Sequence, residues 1–355
     1  MPTVRRNDPS ELFAAAGAGD HAALARLLSL IERGGPTSRE VAALAYRSKR
    51  TAYTVGLTGA PGAGKSTLTD RLIALARTGL PGDGDAGRDD AADRPPDPPD
   101  APTSHPVGVL AVDPSSPFSG GAILGDRVRM QSQALEDGVF IRSMATRGQL
   151  GGLAVAVPDA VRVLSTAGFP VVLIETVGVG QQEVEVASAT DTTVVVVNPG
   201  WGDAIQANKA GLMEIADLFV INKADRDGTR ETHRDLEAML DLNEVGDWRP
   251  PVVETLATTG AGVDEVWDAV GRHREHLRSS GLLDRLRRDR LDREFRQILV
   301  ARVEERVRSL EGTPELDRLT AALTAGDLDP YEAADQLLGT IATLDDPEDG
   351  GRRFG

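Results

Sequence analysis

The chain has 355 residues, and at about 150 residues per domain that length fits two domains, or one large domain with appendages. It contains no cysteine, which excludes disulfides, thiolate metal sites and cysteine nucleophiles. Its net charge of −16 argues against a general electrostatic attraction to nucleic acid or to an anionic membrane. The first residues carry no apolar run after their arginines, and no stretch approaches the ~20 apolar residues of a membrane span, so a cytoplasmic protein is expected. Only four of the 39 basic residues are lysines, Lys49, Lys65, Lys209 and Lys223, so each lysine invites a functional question.

Residues 11–48 read as short helices. Leu12, Ala16, Leu24, Leu27, Leu28 and Ile31 form an apolar stripe, and a capped helix is predicted over 36–46. From about residue 52, apolar β-branched runs alternate with helical stretches. The runs lie at 53–57, 107–112, 170–174, 193–197 and 218–222, with a weaker one at 251–254. Runs apolar throughout suit strands covered on both faces, so the pattern predicts an α/β fold with a mostly parallel, doubly wound sheet. Residues 81–106 hold seven prolines and seven aspartates, and are expected to be a disordered acidic insertion. After residue 262 the chain is helical again. Leu291, Phe295, Ile298, Leu299, Val303, Val307 and Leu310 recur at helical steps, either against the helix's own domain or against a partner subunit. The expected organisation is a helical extension over 1–50, a nucleotide-binding domain over 51–275, a helical arm over 276–343 and a disordered tail over 344–355.

The strongest motif is Gly59-Ala60-Pro61-Gly62-Ala63-Gly64-Lys65-Ser66, which fits G-x-x-x-x-G-K-[ST]. It follows an apolar run and precedes a helical one that starts at Thr67-Leu68, the context a phosphate-binding loop requires. Glycines let main-chain N–H groups approach phosphate oxygens, and the helix N-terminus adds positive potential. Lys65 is expected on the β- and γ-phosphates and Ser66 on a magnesium ion. Asn222-Lys223-Ala224-Asp225 closes the run 218–221 at a strand end, where ligands bind in this architecture. The Asp225 carboxylate can accept from guanine N1–H and the 2-amino group, a donor pair that adenine lacks. Lys223 would lie along the base, and Asn222 would tie the loop to its neighbours. Ala257-Thr258-Thr259 is a candidate second base-contacting loop.

Glu175-Thr176-Val177-Gly178 occupies the place of a D-x-x-G element, with Glu175 near the magnesium ion and the Gly178 N–H near the γ-phosphate. Asp113, at a strand end, and Asp126, in a glycine-rich segment, are candidates for the same metal shell or for positioning water. Residues 142–153 read as a glycine-rich loop with two arginines. Lys209 lies in a further loop-to-helix segment, where its charge would answer charge developing on phosphate.

Taken together, residues 56–67, Val-Asp-Pro-Ser-Ser-Pro (112–117), Gly-Gly-Ala-Ile-Leu-Gly-Asp-Arg (120–127), Ile-Glu-Thr-Val-Gly-Val-Gly-Gln (174–181) and Glu-Ile-Ala-Asp (214–217) resemble the MeaB/ArgK/MMAA GTPases over roughly 50–310. The resemblance implies a P-loop GTPase of the SIMIBI class with helical extensions at both ends and a homodimer formed by the C-terminal arm. It also implies a magnesium-dependent GTP hydrolysis cycle that gates adenosylcobalamin loading and protects or reactivates methylmalonyl-CoA mutase or a relative. By motif, Lys65, Ser66, Asp113, Asp126 and Glu175 would serve phosphate, magnesium and hydrolysis, Asn222, Lys223 and Asp225 guanine, and Lys209 the response to the mutase. A nickel metallochaperone and an ATP-dependent kinase compete with this reading, while Lys65, Ser66 and Glu175 together argue against a scaffold with a dead site. A nickel-inserting metallochaperone needs an imidazole- or thiolate-rich store, and here only His273 and His276 are close in sequence, on what reads as a solvated helix face. An ATP-dependent kinase of a transport system would need a phosphoryl acceptor, and no residue set marks one.

Overall fold

A computed structural model describes residues 8–81, 104–113, 136, 138–145, 152–176, 188–200, 214–242 and 246–344. The described residues fall into two compact units, one within Met1–Asp292 and one within Arg293–Gly355.

The first unit opens with α1 (Pro9–Gly17), α2 (His21–Arg33) and α3 (Gly35–Arg47). The side chains of Asp8 and Asp20 accept from main-chain N–H groups at the starts of α1 and α2, which fixes where these helices begin. The predicted stripe is therefore split between two helices. Then follow β1 (Tyr53–Gly59), α4 (Lys65–Ala76), β2 (Val107–Asp113), β3 (Val139–Ala145), α5 (Gly152–Thr166), β4 (Val171–Thr176), β5 (Thr192–Val197), β6 (Leu218–Asn222), α6 (Thr229–Leu242), β7 (Val252–Thr255) and α7 (Val263–Ser279). The seven strands form one parallel sheet in the order β3-β2-β4-β1-β5-β6-β7.

Alternate residues of each strand serve opposite faces. Val171 and Leu173 of β4 join Val55, Leu57, Leu68, Leu72 and Val270 under α4 and α7. Val172 and Ile174 join Leu24, Leu27, Leu28, Val163 and Leu164 under α2, α3 and α5. Val195, Val197, Phe219 and Ile221 meet Leu236 and Leu240 of α6. Aliphatic side chains of this kind contribute about 1.5–3 kcal/mol each when fully buried. The central strands are thus covered on both faces, which is why they read as near-continuous apolar runs.

One strand departs from expectation. Residues 142–145, read as part of a loop, instead close β3 at the sheet edge. Arg142 breaks the apolar run there because it reaches α2, where its guanidinium donates to Ser29 Oγ (3.0 Å) and pairs with Glu32. Residues 82–103, the body of the acidic insertion, lie outside the described residues, as do the tail residues 345–355.

The division between units falls inside α8 (Leu282–Arg308). The second unit continues with α9 (Pro314–Ala325) and α10 (Pro330–Leu344). Its small core includes Leu310, Leu319 and Ala333, and Arg318 of α9 donates to Gln336 of α10 (3.2 Å). On α8, Leu291, Phe295, Ile298, Leu299 and Val303 are exposed, and only Leu310, beyond the helix end, is buried among the residues of the predicted stripe. No helix among the described residues is long and apolar enough to cross a membrane.

Candidate functional site

The site lies at the C-terminal edge of the sheet. β1 ends at Gly59, residues 60–64 form the loop, and α4 starts at Lys65, so strand, loop and helix follow without an insertion. Two glycines are fixed by close approach. A Cβ on Gly59, whose φ is +130°, would lie 2.0 Å from the Val196 carbonyl oxygen. A Cβ on Gly64, with φ +91°, would lie 2.3 Å from Asn222 Nδ2. Only glycine fits either place, and the bare main chain they leave is what a phosphate can approach.

Lys65 is buried, and its Nζ donates to the carbonyls of Gly59 (2.5 Å) and Ala60 (3.1 Å). Pro61 is exposed at the outer bend of the loop, whereas Ala63 is buried. Ser66 Oγ donates to Glu175 Oε1 (2.6 Å), joining the first turn of α4 to the end of β4. Thr67 is exposed beside Ser66 on the same turn. Glu175 is only 2% exposed, so its carboxylate is held in place at the sheet edge. A hydroxyl and a carboxylate this close are hard oxygen donors, the chemistry that suits magnesium, which is commonly held by one or two protein oxygens together with substrate phosphates. Among the described residues no group of three His, Cys, Asp or Glu side chains could hold a metal alone. Asp113 closes β2, which lies between β3 and β4 in the sheet.

Asn222, 2% exposed at the end of β6, joins three segments. Its Nδ2 donates to the Ala63 carbonyl (2.8 Å), and its Oδ1 accepts from Thr255 Oγ1 (3.2 Å) and from the Ala257 N–H (3.1 Å). Lys223 adopts a left-handed φ of +60°, a conformation that non-glycine residues enter rarely. That turn carries Nζ back to the Gly62 carbonyl (2.5 Å). The next N–H, of Ala224, donates to the Thr255 carbonyl (3.0 Å), and Asp225 stands exposed beyond it. Thr258 is exposed at the tip of the 257–259 loop, and Ala257 is buried beneath it. The structure therefore brings together Gly59–Ser66, Glu175, Asn222–Asp225 and Ala257–Thr258. Asp126, Gly178 and Lys209 lie outside the described residues, and so does the side chain of Asp113.

Sequence reasoning missed two contributors. Asn198, just past β5, donates through Nδ2 to the Gly62 carbonyl (3.4 Å). Arg71 of α4 donates to the carbonyls of Ala257 (3.2 Å) and Thr258 (2.8 Å). Nothing in a single sequence separates Arg71 from the many other arginines. The pair His273 and His276 also differs from expectation. His273 is 3% exposed rather than on a solvated face, because its Nδ1 bonds Thr192 Oγ1 (2.9 Å) and its ring packs on Trp248.

A family model described as methylmalonyl Co-A mutase-associated GTPase MeaB matches residues 24–83 and 101–311. A Pyrococcus abyssi protein provisionally named a GTPase is 46% identical over 329 residues, covering 91% of this chain and 94% of its own. The mouse protein named methylmalonic aciduria type A homolog, mitochondrial, is 31% identical over 342 residues, covering 90% of this chain and 76% of its own. Among solved structures, one titled LAO/AO transport system kinase superposes with a TM-score of 0.65 at 26% identity, covering 96% of this chain and 99% of that one.

Proposed function

Because the chain belongs to the MeaB family of methylmalonyl-CoA mutase-associated GTPases, we propose that it binds GTP, hydrolyses it with magnesium, and uses the cycle to gate adenosylcobalamin loading of an acyl-CoA mutase in the cytoplasm. The observation that carries the nucleotide part is Asn222. One buried carboxamide, itself in the first candidate base loop, ties the phosphate loop at Ala63 to the end of β7 at Thr255 and to the second base loop at Ala257. Phosphate grip and base reading would then share one rigid frame.

In this reading GTP lays its phosphates over the main chain of 59–64, and Lys65 leaves the Gly59 and Ala60 carbonyls to meet the β- and γ-phosphates. Asp225 accepts from the guanine N1–H and 2-amino groups. Such bonds to a charged group are worth about 1.5–3 kcal/mol each. Ser66 and Glu175, with Asp113 and Asp126, would hold magnesium, which supplies charge neutralisation along the phosphates. The protein positions a water for attack on the γ-phosphate, and Lys65 and Lys209 stabilise the charge that develops. The Gly178 N–H would report the γ-phosphate. The exposed stripe Leu291–Val303 on α8 supports a homodimer arm, and the names of the family and of the mouse relative support methylmalonyl-CoA mutase or a close relative as partner.

The test is calorimetry with GTP, GDP and ATP, followed by hydrolysis rates with and without purified adenosylcobalamin-dependent mutases. Binding of guanine nucleotides alone, with hydrolysis stimulated by one mutase, is the expected result. Equal heats for ATP and GTP would overturn the base reading, and rates indifferent to every mutase would overturn the partner.

A further inference from the structure

Arg71 sits six residues after Lys65 on α4, the helix that begins at the phosphate loop, yet its side chain engages the opposite wall of the site. Its Nε and one terminal nitrogen donate to two consecutive carbonyls, those of Ala257 and Thr258. A planar guanidinium suits this fork-like grip, and a lysine cannot reproduce it. Ala257 is held from the other side too, since its N–H donates to Asn222 Oδ1. The bonds close a ring that runs from Ala63 through Asn222 to Ala257, on to Arg71, and back along α4 to the phosphate loop.

The ring fixes the direction of one further group. The N–H groups of Ala257, Thr259 and Gly260 have acceptors, in Asn222 and the Leu256 carbonyl. The Thr258 N–H has none among the described residues. In a trans peptide the carbonyl and the N–H point in opposite directions. By gripping the Ala257 carbonyl, Arg71 therefore aims the N–H of Thr258 away from itself. A main-chain donor held in this way distinguishes a purine with oxygen at position 6, an acceptor, from one with an amino group there. We propose that Arg71 is a positioning residue for base recognition, locking the Ala257–Thr258 peptide so that its N–H donates to the 6-oxygen of guanine. This rests on the guanine reading above.

The experiment uses the full chain and three probes: GTP, its 6-thio analogue, which keeps the N1–H and 2-amino donors but has a poor acceptor at position 6, and inorganic tripolyphosphate, which has no base. Arg71→Met is expected to weaken GTP about tenfold, the worth of one well-placed hydrogen bond. It should leave tripolyphosphate unchanged and narrow the gap between GTP and the 6-thio analogue. Arg71→Lys should lose less of the GTP affinity than Arg71→Met, and it serves alone if the methionine variant does not fold. Unchanged GTP affinity would overturn the proposal, as would equal losses for GTP and tripolyphosphate or an undiminished oxygen-to-sulfur gap. Wild-type protein with no preference for GTP over ATP would overturn the base reading itself, before any variant is made.

Discussion

The two ends of the central strands carry polar groups of opposite design. At the C-terminal edge, Lys65, Lys223 and Asn222 bond mainly to loop main chain, and Asp225 and Thr258 are exposed. At the N-terminal edge the cluster is closed. Asp191, 2% exposed, accepts from Arg287 (2.8 Å), Arg290 (2.9 Å) and the Thr54 N–H (3.0 Å). Beside it Thr192 bonds Tyr53 (2.6 Å) and His273 (2.9 Å). The same strands β1 and β5 thus hold an edge whose lysines bond to loop carbonyls, the bonds the proposed nucleotide would replace, and an edge whose bonds hold α7 and the start of α8. Being polar and buried does not mark function. Under the proposed function, what marks the site is lysines on main-chain carbonyls, which a phosphate can replace, and polar tips left in solvent.

That contrast can be broken from either side. Lys65→Ala at the upper edge should give the largest effect, a loss of about 10³-fold in single-turnover GTP hydrolysis, the scale for removing a charge-stabilising donor. Its denaturation midpoint should stay near that of the wild type. A comparable loss of stability would mean the two edges are not separable. At the lower edge, Asp191→Ala should do the reverse. Burial pushes the Asp191 carboxyl up, but the Arg287 and Arg290 guanidiniums hold it below the usual carboxylate range overall. Removing one member of such a buried group costs about 3–5 kcal/mol. Because both arginines keep some exposure, the lower end is expected, about 3 kcal/mol in urea titrations, with GTP affinity unchanged where the protein is folded. Asp225→Asn sharpens the upper edge alone. It should cost GTP about 10²-fold in affinity, through loss of charge-assisted bonds, and improve xanthosine triphosphate. Unaltered preference between those two ligands would remove Asp225 from the base site.

The upper edge was legible in the sequence because its chemistry is contiguous. Glycines at 59, 62 and 64, with Lys65 and Ser66, specify a main-chain shape by themselves, and Asn222-Lys223-Ala224-Asp225 does the same at the end of β6. Five of the seven strands were legible for a related reason, since burial on both faces favours a near-continuous apolar run, and β7, where Glu254 is exposed, was legible more weakly. β3 was not, because Arg142 interrupts its run and is compensated by Ser29 and Glu32, on a helix far away in sequence. The lower edge was illegible for the same reason throughout. Asp191, His273, Arg287 and Arg290 belong to three separate segments, and nothing local to any one announces the others. Arg71 falls in that class too, as its acceptors are carbonyls nearly two hundred residues on, and carbonyls leave no mark in a sequence.

The smallest effect expected is a pH dependence confined to the lower edge. Burial pushes the His273 imidazole down to about 4, and His276 adds to the depression while Asp191 opposes it. In the unfolded chain the same ring titrates near 6.5. Between those values the unfolded state binds the proton and the folded state does not, so stability is fully present above about pH 6.5 and declines as pH falls toward about 4. Linkage over that window gives His273 a contribution that falls by about 2 kcal/mol between pH 7 and pH 5, opposed by Asp217, whose carboxyl lies 3.4 Å from the ring and is pushed up to about 7 by burial. His273→Gln, which keeps a polar partner for Thr192 but cannot titrate, should remove this contribution and make stability at pH 5 relative to pH 7 higher than in the wild type, and urea midpoints of both proteins at pH 7, 6 and 5 measure it. GTP affinity of the folded protein should show no such step for either variant, since the ring lies at the far end of β5 from the phosphate loop. An equal slope in the two proteins would remove His273 as the source, and a matching step in GTP affinity would mean that the closed edge communicates with the open one.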